Sequence, residues 1–118
     1  MIRQPDRLDL ALTRRLREIV GGDATTESEL RELADRAGGW ERAVAAQLRA
    51  AEDRLAALNA DPSSPLAAMA EEIRRVETLK RELEEARELL AGLEERTREV
   101  RTAWLKHHAD SAPLRERR

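Results

Sequence analysis

Apolar residues recur in steps of three and four on both sides of the Pro/Ser turn Asn59–Pro65, and the two series match rung for rung. Counting outward from the turn pairs Leu58 with Leu66, Leu55 with Met69, Ala51 with Ile73 and Leu48 with Val76. The series continues as Val44 with Leu79, Trp40 with Leu83, Ala37 with Ala86, Leu33 with Leu90 and Leu30 with Leu93. Alternating threes and fours are the period of an apolar seam between coiled helices. Where the first series takes two fours (Trp40, Val44, Leu48), the second takes two threes (Ile73, Val76, Leu79), so both break phase at one level. The pattern predicts an all-α protein: a long antiparallel coiled-coil helical hairpin over about 26–60 and 65–108.

A shorter helix is expected over about 6–20. Pro5 precedes it, Asp6 can cap its amides, and Gly21-Gly22 can end it in a left-handed turn. Leu8, Leu12, Leu16 and Ile19 share one stripe of that helix. A short connector obliges it to run back along the base of the hairpin, where Leu89 beside Leu90 widens the apolar face. The base is therefore expected to be a three-helix bundle and the tip a two-helix coil. Thr26-Glu27-Ser28-Glu29 reads as a capping box: the Thr26 hydroxyl accepts from the Glu29 amide and the Glu29 carboxylate reaches back. Ser64 before Pro65 is expected to open the last helix in the same way, with Pro at the first helical position. The interior pair Gly38-Gly39 would favour a break, each Gly disfavouring helix by roughly 1 kcal/mol. The seam nevertheless keeps phase through it, which predicts one helix with a close approach or gentle kink beside the small pair Ala37 and Ala86. Glu71 to Arg75, Glu77 to Arg81 and Glu94 to Arg98 stand at the favourable i,i+4 spacing.

Composition narrows the reading. The 118 residues are 39% charged and 2% aromatic, without Phe, Tyr or Cys, so a seam of Leu and Ala has to do what large aromatics do in a globule. Residues 1–110 are expected to form a single helical domain and 111–118 a disordered basic tail. No apolar h-region opens the chain and its apolar runs are short, so neither a signal peptide nor a membrane span is expected, and the cytoplasm is the default.

Candidate chemistry is sparse. His107 and His108 are the only histidines, and as helix neighbours they point about 100° apart, so they cannot chelate one ion as an i,i+4 pair would. The Gly-Gly pairs lack the Lys and preceding strand of a phosphate loop. Catalysis, a metal and a cofactor are accordingly not expected. Leu30–Gly39 resembles the first part of many bacterial DNA-binding helix-turn-helix motifs, with Ala34, Gly38 and Val44 at the small, turn-glycine and buried-aliphatic positions. Gly39 and Gln47 depart from that pattern, and six acids face four arginines over 26–52, the wrong sign for approaching phosphates. A DNA-binding regulator using 30–49 is thus the alternative function, and nucleic acid the lesser partner.

The leading reading is a non-enzymatic protein–protein interaction module: an adaptor, a regulator or a chaperone-like protein. About ten residues of the last helix should project past the hairpin base, carrying Val100, Trp104 and Leu105 as the candidate partner interface. Trp104 is either covered by the Gly21–Thr25 connector, the reading taken first, or exposed as an anchor for another protein. The region 96–118 holds seven bases and three acids, which complements a helix C-terminus and would also suit an acidic partner. Ala43, Ala46, Ala50 and Ala57 form a small-residue stripe beside the seam. A second copy packing there would make a homodimeric four-helix bundle.

Overall fold

A computed structural model describes the backbone of residues 3–111 and the side chains of residues 10–109. Three helices follow one another: α1 (Arg3–Val20), α2 (Glu27–Ala60) and α3 (Leu66–Ser111). Among the described residues there is no strand. Nor, among those residues, is any helix long and apolar enough to cross a membrane. The Leu8 side chain lies outside the described residues, as does the tail expected over 111–118 except for Ser111, which belongs to α3.

The boundaries depart from expectation by a turn or less. α1 starts three residues before Asp6, with Pro5 inside its first turn, where an amide N–H would have no carbonyl partner. α3 runs on to Ser111 rather than stopping near His108. Its first bond is accepted by the Pro65 carbonyl from Met69 N at 3.2 Å, so Pro65 stands one place before the first helical residue. The turn itself is organised by Asp61, whose carboxylate accepts from the Ser63 amide at 3.0 Å and the Ser63 hydroxyl at 2.8 Å. These two bonds, the amide first, hold the Asp61 carboxyl below its ordinary range.

α2 is continuous through Gly38-Gly39. The close approach expected there is not found: a Cβ on Gly38 would meet only the Arg42 guanidinium at 3.4 Å, and one on Gly39 would meet nothing within 4 Å. Residues 30–49 therefore form one uninterrupted helix, without the turn that a helix-turn-helix requires.

The chain divides into two compact units, residues 36–88 and residues 1–35 with 89–118. The first is an antiparallel hairpin of two helices. Its core comprises Ala37, Trp40, Val44 and Ala51 from α2 with Val76, Leu79, Leu83 and Ala86 from α3. Trp40 is inside as expected, and its indole Nε1–H donates to Glu82 Oε2 at 3.0 Å. Arg54 to Glu72 (3.3 Å) and Arg87 to Glu41 (3.1 Å) tie the same two helices at the surface. Toward the turn the expected seam opens: Leu48, Leu55, Leu58 and Met69 are only half-buried, and Ile73 and Leu66 are 43% and 82% exposed. A pair of helices covers only a narrow stripe, and a branched side chain leaning off that stripe meets water.

The other unit is the three-helix bundle that the pattern predicts. Leu12, Leu16 and Ile19 of α1 meet Leu30 and Leu33 of α2 and Leu89 and Leu93 of α3 in one core. A third helix widens the buried stripe, which is why Leu89 is buried while Leu90, the assigned seam residue, is only half-buried. Gly92 makes the approach of α1 possible. A Cβ there would lie 2.9 and 3.0 Å from the two methyl carbons of Val20, closer than real Cβ atoms come. α1 ends as the Gly21-Gly22 signal predicts, with Gly22 at a φ of +112° and its amide bonded to the Ile19 carbonyl at 3.0 Å.

Candidate functional site, a groove at the end of helix α3

Beyond Arg96 and Thr97, which are half-buried, α3 continues, and every residue from 101 to 109 is exposed. Trp104 and Leu105 are 57% and 60% exposed, while Val100 is half-buried. The expected covering of Trp104 by the Gly21–Thr25 connector does not occur. The connector stands beside the indole instead, as the wall of an open groove of about 590 Å³ lined by Thr25, Glu27, Val100, Arg101, Trp104 and Leu105. All three residues of the candidate partner interface thus come together in one recess.

Two arginines hold that wall in place. Arg15 Nη2 donates to the Ala24 carbonyl at 3.2 Å, and Arg96 Nη2 donates to the Asp23 carbonyl at 3.3 Å. Thr26 caps α2 as expected, its hydroxyl accepting from the Glu29 amide at 3.0 Å. The second half of the capping box is used differently. The Glu29 carboxylate accepts from Arg15 Nε at 2.7 Å, from Arg15 Nη2 at 2.9 Å and from the Thr25 hydroxyl at 2.8 Å. These bonds, that of Arg15 first, lower the Glu29 pKa from 4.5 to about 2. Nothing in the helix pattern announced Arg15, because its partner is fourteen residues away across a turn.

The groove has an apolar floor and a charged edge. Arg101 Nε lies 3.7 Å and Arg31 Nη2 3.9 Å from the same Glu27 carboxylate oxygen. Arg98 bonds Glu95 at 2.6 Å, rather than the Glu94 that i,i+4 spacing suggested. On its other side Trp104 is supported by His108, whose ring stacks on the indole with centroids 3.8 Å apart and planes 28° from parallel. His108 Nδ1 lies 3.0 Å from the Trp104 carbonyl oxygen, which can only accept, so the proton of that bond sits on Nδ1. The His107 and His108 rings are nearly perpendicular, at 80°.

The four alanines of the candidate dimer interface, Ala43, Ala46, Ala50 and Ala57, are all exposed on α2 of the two-helix unit. The chain matches no family model, no curated protein and no solved structure.

Proposed function

We propose that this chain is a non-enzymatic protein–protein interaction module, of the adaptor, regulator or chaperone-like kind, and that it docks a segment of another protein beside Trp104. The observation that carries this reading is the pairing of a half-exposed indole with an exposed Leu105 in a groove whose wall is fixed by Arg15 and Arg96. Covering the exposed part of an indole contributes about 2–3 kcal/mol by apolar area alone. An apolar centre with a charged rim is also the usual anatomy of a protein interface. The test is a photo-cross-linking side chain placed at position 101 on the edge of the groove, which leaves the indole in place, compared with one at exposed Glu77. A protein joined only from position 101, and bound by the purified chain about tenfold more weakly after Trp104→Ala, supports the reading. The same adducts from both positions would remove it.

The exposed alanines support a second element of the proposal, a homodimer through Ala43, Ala46, Ala50 and Ala57. Two helices leave that face to water, and Ile73 of the same unit is also partly exposed. Small side chains permit close helix approach. Light scattering tests it directly. A dimeric mass that becomes monomeric on Ala46→Glu/Ala50→Glu is expected, and a monomeric mass for the parent at high micromolar concentration would refute it.

A further inference from the structure

The seam of α3 does not stop where α2 begins. Leu90, Leu93, Thr97, Val100 and Trp104 follow one another in steps of three, four, three and four, the period of an apolar seam between coiled helices. Opposite the first two stand Leu33 and Leu30, and opposite Thr97 stands the capping residue Thr26, so α2 supplies nothing opposite Val100 and Trp104. A hollow of about 160 Å³, lined by Leu30 and Thr97, shares Glu27 and Arg101 with the groove beside Trp104. The groove is thus the open end of the α2–α3 seam, continuing an interface that is buried at Leu30 and Leu93.

Charge selects nothing there. Arg101 and Arg31 lie 3.7 and 3.9 Å from one Glu27 oxygen, Arg98 bonds Glu95 at 2.6 Å and Arg96 lies 3.5 Å from Glu99, with Glu94 beside them. Exposed ion pairs of this kind hold little energy to exchange with a partner. A second copy of α3 does not fit the open end either. Laid antiparallel with its Val100 against Trp104, it would bring its residues 108–111 to the level of 27–30, where α2 already stands.

On the docking reading above, we infer that the occupant is an α-helix of another protein that carries on the line of α2, recognised by apolar side chains at heptad spacing and not by charge. It spans Thr97 to His108, about 17 Å or three turns at ~1.5 Å per residue, and sets its apolar residues against Val100, Trp104 and Leu105. It runs antiparallel to α3, as α2 does, so that its C-terminal end meets the N-terminal end of α2 and unlike ends of the two helix dipoles adjoin. This is helix-in-groove recognition, with the groove made by a seam that outlasts its partner.

Three fluorescein-labelled peptides of about fourteen residues, two heptads long, provide the test. Two carry leucines at heptad spacing, one with Glu and the other with Lys at the outward sites. The third has the composition of the Glu peptide with its leucines at every second residue, the spacing of a strand. Binding to the full chain is read by anisotropy. The two heptad peptides are expected to bind within about threefold of each other, and about tenfold more weakly after Trp104→Ala, checked for unchanged helicity. The third is expected to bind about tenfold more weakly than either. A nitroxide at the C-terminus of a heptad peptide is expected to broaden the amide signals of Glu27 and Ser28, and broadening of His107 and His108 instead would overturn the antiparallel direction. Equal binding of the third peptide would overturn the helix, and a preference of about tenfold for Glu or for Lys would overturn recognition by spacing, each leaving the docking site in place. A dimeric mass that Trp104→Ala renders monomeric would make a second copy the occupant and overturn the inference. Binding of none of the three would overturn the helical occupant, while cross-linking from position 101 reads the docking site separately.

Discussion

Arg15 of α1 grips Glu29 of α2 through two nearly parallel bonds, Nε to Oε2 at 2.7 Å and Nη2 to Oε1 at 2.9 Å. One carboxylate thereby joins two helices and, through the Thr25 hydroxyl, the wall of the groove. Glu29 titrates at about 2 in the folded chain, against an ordinary value of 4.5. A depressed carboxylate stabilises fully above its unfolded pKa and loses that contribution as pH falls through its folded pKa. The advantage of the parent over Glu29→Gln is therefore expected to be full near neutral pH, to shrink below about 4.5 and to vanish near 2. Thermal melts of the two proteins across that range check it, and a difference independent of pH would show that Glu29 acts by packing alone.

The cap at the start of α2 is a separate contribution. Thr26→Ala removes the acceptor of the Glu29 amide and is expected to cost about 1 kcal/mol, whereas Thr26→Ser should cost little. Urea titration of the three proteins measures both, and because neither change touches the Glu29 carboxylate the acid-side behaviour should be retained.

The glycines are expected to respond in opposite ways. At Gly39 a Cβ meets nothing, so Gly39→Ala should stabilise by about 1 kcal/mol through helix propensity and a less flexible unfolded chain. At Gly92 the same propensity gain meets the Val20 methyls, whose β-branched side chain has few alternative rotamers. Gly92→Ala alone should then give no gain, and in a Val20→Ala background it should stabilise by about 1 kcal/mol. A double-mutant cycle by denaturant unfolding checks it, with additivity as the refuting result.

Burial ranks the leucines differently from the ladder. Leu33 is 4% exposed, so Leu33→Ala should cost about 2–5 kcal/mol, and Leu33→Asp should prevent folding by leaving a charge unpaired in the core. Leu90, which is half-buried, should tolerate both changes better. Trp104→Ala, at an exposed position, should alter stability by no more than about 1 kcal/mol. Melting temperatures of the set test the order, and a Trp104→Ala loss as large as that of Leu33→Ala would make Trp104 a core residue.

What the sequence determined by itself was whatever depends on neighbours along the chain. The three helices, the turn at Asn59–Pro65, the left-handed end at Gly22 and the Thr26 cap are local signals, and periodicity carried the interior positions of Leu16, Leu33, Trp40, Val44 and Leu93. It also placed Val100, Trp104 and Leu105 on one end of the last helix. The tertiary structure decided how wide the buried stripe is. One period repeats along both long helices, but with two helices Ile73 is left partly in water, and with three Leu89 is taken inside. It decided the partners of long side chains as well: Glu29 with Arg15, Trp40 with Glu82 and Gly92 under Val20. Those pairs are fourteen, forty-two and seventy-two residues apart, and spacing along one helix contains no information about which face of another will lie against it. Trp104 shows the same limit, since its exposure depends on where a five-residue connector passes, and that path is held by Arg15 and Arg96 from outside the segment.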